Sequence, residues 1–189
     1  MSENFFTAIY CLIFRRDHAL RAYSQNTDGR PFSSLLTCIP TTYYVLNFMF
    51  KEPALWIGSP VVVVNMNVSW MKYAPLWILE RIPEAYDLAE RLGANRAEID
   101  RWRLHNLPGL VRFLEEIFEN DPVGNVKYFS MRRLASRLKG LDGIEDFIEP
   151  IRSIYAAAHE AGHPAAQTSV EEIFEGFGRT LGGAERGAT

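Results

Sequence analysis

The residues best suited to chemistry lie together in the last fifth of the chain, as His159-Glu160-Ala161-Gly162-His163. The segment has the pattern H-E-x-x-H. On a helix, two histidines four positions apart share a face and can bind one zinc ion, while the glutamate between them can act as general base on the metal-bound water. The chain has four histidines in all, so finding two at this spacing around a glutamate is a specific signal. The catalytic expectation it sets is equally specific: Glu160 as the base, His159 and His163 as ligands, and zinc as the cofactor.

The wording HEAGH resembles the zinc helix of the membrane-anchored AAA metalloproteases, and the resemblance covers these five residues. It implies metal-dependent hydrolysis with a third ligand from an acidic residue well downstream. Here 26 residues follow His163, with Glu171, Glu172 and Glu175 as acidic candidates. Metzincins extend the motif with a glycine and a third histidine, and this chain has Ala166 and Ser169 at those places. Pro164 stops a helix at the second histidine, where zincins continue it. The competing reading is therefore a helix C-terminus, whose negative dipole end favours histidine. Glu160-x-x-His163 also reads as half of a di-iron carboxylate site, which needs a second copy on another helix. Arg15 and Trp102 stand three residues before the other two histidines, so no second copy exists.

A second candidate is apolar. Trp56, Trp70, Trp77, Tyr43, Tyr44, Tyr73 and Phe48 fall in the middle of the chain. Aromatic residues supply core area and are enriched at interfaces. They could also line a pocket for a flat apolar ligand. Asn65 and Asn67 on the polar side of the same stretch would orient it, with Trp56, Trp70, Tyr73 and Trp77 as the lining.

Charge narrows the partners. Against 20 Lys and Arg stand 23 Asp and Glu, a net charge of −3, which offers no general attraction to nucleic acid phosphates. Lys127 to Lys139 is the local exception, with five cations and no acid. Its apolar residues recur at helical spacing, so the cations read as the solvated side of a core helix. The glycines at 176, 178 and 182 follow a helix rather than a strand, and so read as a cap, not a phosphate loop.

The two cysteines, Cys11 and Cys38, sit in apolar runs and read as buried free thiols in a reducing compartment. Phe5 to Phe14 is apolar but has no preceding positive charge, and Leu55 to Leu79 is broken by Pro60, Lys72 and Pro75. These features predict a cytoplasmic chain that does not enter a membrane.

The elements that must position these groups are mostly helices. Asn4 to Ser24 reads as a first helix, ended by Asn26-Thr27-Asp28-Gly29. Pro83 suits the start of a helix ending at Gly93, and Asn95 caps the next, Arg96 to Asn106. Apolar stripes follow over Leu110–Phe118, Met131–Leu138 and Ile144–Ala158, with Pro150 expected to kink or split the last. Ser169 and Glu172 form a capping-box pattern before a final helix. Val64, Met66, Val68 and Trp70 alternate with polar residues, and Tyr43 to Phe50 fits either a strand partner or a short helix. The fold class expected is predominantly α: one helical domain over residues 1–181 with about seven helices, room for a small β element in residues 40–72, and a flexible tail at 182–189. The rhythm of Leu79–Gly93 and Ile144–Pro164 resembles the helical C-terminal domains of ketopantoate-reductase-like dehydrogenases, which implies a neighbouring dinucleotide-binding domain whose fingerprint these 189 residues lack.

Such a chain is expected to act as a small helical binder or assembly subunit through an aromatic-rich pocket or surface. Its partner would be a small apolar molecule or another protein, a second copy included. The alternatives are the zinc enzyme and a small cofactor-free enzyme with an aromatic pocket. The charge reading is directly testable. At physiological salt, gel-shift assays with up to about 10 μM protein should show no DNA or RNA complex. A complex that disappears when Arg132, Arg133 and Arg137 are neutralised would contradict it.

Overall fold

The computed structural model describes residues 16–30, 32–51, 53, 69–175 and 177. Their secondary structure is helical, and no strand occurs among them. No helix among the described residues is long and apolar enough to cross a membrane. Two compact units divide the chain. One comprises Met1–Met71 with Arg81–Trp102, and the other Lys72–Glu80 with Arg103–Thr189.

In the first unit, α1 (Arg16–Tyr23) is followed by α2 (Leu35–Cys38) and α3 (Pro40–Tyr44), which runs on as a π-helical turn over Val45–Met49. Tyr43 to Met49 is thus helical, with Phe50 as its cap, and the described part of residues 40–72 contains no strand. Most of the Val64–Trp70 alternation, the proposed tail and Cys11 lie outside the described residues. Asp28 builds the expected turn, its Oδ1 accepting from Arg30 N–H at 3.0 Å and Ser33 Oγ at 2.9 Å. Ser34 caps α2, with Thr37 N–H donating to Ser34 Oγ at 3.2 Å and Ser34 N–H to Thr37 Oγ1 at 3.0 Å. Threonine serves here where the sequence pattern looks for Glu or Gln.

The second stretch of this unit holds α5 (Ile82–Arg91). It packs on α2 and on the π turn after α3. Gly93, at φ +96°, ends it as expected: Gly93 N–H reaches Glu90 O and Ala94 N–H reaches Ala89 O, both at 3.0 Å. Those two bonds satisfy carbonyls that the last turn leaves open. Asn95 Oδ1 then accepts from Ala97 N–H at 2.9 Å and starts α6 (Arg96–Glu119).

The second unit begins with α4 (Ala74–Leu76), which passes into a π-helical turn over Trp77–Arg81. The π turn lies directly before Pro83, whose missing N–H could not have completed a regular ladder there. After α6 come α7 (Met131–Leu138), α8 (Glu145–Glu160) and the short α9 (Val170–Ile173). Their buried residues form one core, including Leu79, Leu107, Leu114, Ile117, Leu134, Ile151 and Tyr155. Asn125 anchors the first segment to this body, donating from Nδ2 to Lys72 O at 3.0 Å.

Two expectations are corrected. The sequence separates Arg96–Asn106 from the Leu110–Phe118 stripe, yet α6 is one 24-residue helix with Pro108 inside it. Likewise α8 is continuous through Pro150 rather than split. Both prolines are solvent-exposed, and each leaves one carbonyl of the preceding turn without its helical donor. The buried stripe around each holds the helix together across the missing bond. Burial of one such leucine or isoleucine is worth about 1.5–3 kcal/mol, enough to offset a lost hydrogen bond of about 1 kcal/mol.

The stripe on α6 can be probed on adjacent positions. Leu114 is fully buried, and Leu114→Ala should lower urea-measured stability by about 2–5 kcal/mol. Exposed Glu115→Ala should stay within about 0.5 kcal/mol of the parent. Equal losses at both would mean that α6 does not bury this face.

Candidate functional site

The HEAGH segment is the end of a helix. Glu160 is the last residue of α8, Ala161 is its C-cap, and Gly162 adopts φ +71°. Gly162 N–H donates to His159 O and His163 N–H to Ala158 O, both at 2.9 Å. This pair of bonds is a Schellman closure with glycine in the left-handed position, where any side chain would cost about 1–2 kcal/mol. His163 therefore stands beyond the helix, and the shared face that the spacing predicts ends at Gly162.

Both imidazoles are tied into the turn that follows. His159 Nδ1 lies 2.5 Å from Ala166 O. A carbonyl can only accept, so the proton sits on Nδ1. His163 does the reverse, with Nδ1 accepting from Ala165 N–H at 3.2 Å, which requires that nitrogen to be unprotonated. Tyr155, one turn before His159, stacks on its ring at 6.4 Å and donates its hydroxyl to Thr168 O at 2.8 Å. Residues 163–168 are thus fastened to α8 by two side chains. Glu160 is solvent-exposed. Among the described residues no three His, Cys, Asp or Glu side chains come together in a way that could hold a metal ion, whereas a catalytic zinc takes three protein ligands. Glu172 and Glu175, two acidic candidates for that role, are exposed, and Glu172 pairs with Arg132 at 2.6 Å.

Of the aromatic pocket residues, Trp56, Asn65 and Asn67 lie outside the described residues. Trp70 falls in the 3-10 turn Ser69–Tyr73, and Tyr73 and Trp77 are half-buried. An aromatic cluster that the sequence reading missed lies later in the chain. Phe118 meets Phe129 edge-on at 5.9 Å, Tyr155 at 6.2 Å and His163 edge-on at 5.1 Å. Tyr155 continues to Phe174 at 6.3 Å, and Phe174 to Phe177 at 5.7 Å. The signal was present as aromatics scattered over three helical stripes and the turn before α7, which no local pattern connects.

The basic stretch is more than a solvated face. Glu80, 2% exposed, lies in the π turn and accepts Ser130 N–H at 2.8 Å, at the N-cap of α7. Arg133 reaches the same carboxylate through Nη2 at 2.9 Å, and Arg137 through Nη1 at 3.1 Å. Arg133 Nη2 also donates to Tyr128 O at 2.9 Å, and Lys139 Nζ to Glu175 O at 3.3 Å. Arg132, Arg133 and Lys139 are solvent-exposed, as expected, but Arg137 is half-buried. Sequence reasoning passed over Glu80 because it sits in an apolar run 50 residues from its first partner.

In comparisons with known proteins, no protein-family model, no curated protein and no solved structure matches this chain.

Two outcomes follow from this geometry. Glu80→Ala should cost about 1–3 kcal/mol, because it removes the buried acceptor shared by Ser130 N–H, Arg133 and Arg137. Arg132→Ala, which breaks only an exposed pair, should cost less than about 1 kcal/mol. Similar losses in chemical denaturation would show that Glu80 behaves as a surface charge.

Tyr155 gives a pH signature. Burial holds its hydroxyl above the ordinary pKa of 10.0, against the opposing pull of its bond to Thr168. The folded state keeps this proton after the unfolded chain begins to lose it, so stability is unaffected below about pH 10 and falls as pH rises further. Tyr155→Phe should flatten part of that alkaline decline while costing about 1 kcal/mol at neutral pH. Urea titrations at stepped pH measure both, and an unchanged alkaline slope would refute the assignment.

Proposed function

We propose that this chain is a small helical binding or assembly-subunit protein, acting through an aromatic-rich hydrophobic pocket or surface rather than through a catalytic centre. One observation carries the reading. The groups best suited to acid–base or metal chemistry are held by bonds internal to the fold: His159 on Ala166 O, His163 on Ala165 N–H, and Glu80 on Ser130, Arg133 and Arg137. His159 keeps Nε2 for a ligand, but His163, beyond the Gly162 turn, spends its one lone pair on Ala165 N–H, whereas a catalytic zinc takes three converging protein ligands. Recognition through apolar area asks for no such group, and Tyr73 and Trp77 are half-buried rather than enclosed in the core. The partner is a small apolar molecule or another protein, including a second copy.

Light scattering across a concentration series, together with titration of intrinsic tryptophan fluorescence by the apolar dye ANS, tests this. The expected result is concentration-dependent association, saturable dye binding at folded-state temperatures, or both. A strictly monomeric protein that binds no dye would overturn the proposal. So would a hydrolytic activity abolished by chelation and by Glu160→Gln, which would make the chain a metalloenzyme.

A further inference from the structure

We draw no further inference here: the strongest candidate, two buried polar side-chain atoms of the first unit, Arg81 Nε and Thr41 Oγ1, neither of which has a hydrogen-bond partner among the described residues, carries nothing because nothing in the structure gathers them around one cavity or shows what covers them.

Discussion

A single buried carboxylate organises the second unit. Glu80 sits in a segment buried on nearly every side, with Ala74, Pro75, Leu76 and Leu79 around it. Leaving an ion there without partners would cost several kcal/mol, so the fold must bring donors to it. It brings a backbone N–H at the head of α7 and two guanidinium groups one helical turn apart on the same face. Satisfying Glu80 therefore fixes where α7 begins, how it is rotated and how deep the π turn lies. The apolar positions Met131, Leu134 and Leu138 are then turned into the core as a consequence of the same rotation. Hydrophobic burial supplies most of the free energy, but it is non-directional, and the charge network sets the register.

The histidines illustrate a second division between spacing and geometry. Identical residue types at identical spacing can face one way on a continuous helix and part company at a helix end. Gly162 and Pro164 decide the matter here: the glycine turns the backbone left-handed and the proline prevents the helix from resuming. The imidazoles then become the fasteners of the turn they stand in, one as donor and the other as acceptor.

Local signals were legible in the sequence, and paired ones were not. Asn95, Gly93 and Ser169 act at the helix ends where their types place them, because capping is decided within a few residues. The reciprocal half of the Ser169 box is absent, since Glu172 turns instead to Arg132, 40 residues away. The stripes of α6, α7 and α8 were read correctly as buried faces. Pro108 and Pro150 misled because their penalty is local, whereas the burial that overrides it is tertiary. The candidate site was legible as residue types only. Whether His159 and His163 converge depends on one backbone dihedral at Gly162, and Glu80 acquires its meaning from arginines more than 50 positions on.

The Glu80 network also bears on how such a sequence can drift over generations. A change at position 80 alone removes the acceptor that Ser130 N–H and two arginines share, and a change at Arg137 alone takes one of three donor groups from a buried anion. Lysine does not replace Arg133, whose Nε and Nη2 both reach the carboxylate, because a single ammonium cannot present donors in a fixed fork. Positions 80, 133 and 137 should thus be inherited as one character, altered together toward apolar residues or kept intact, while neighbouring Arg132 is free to vary.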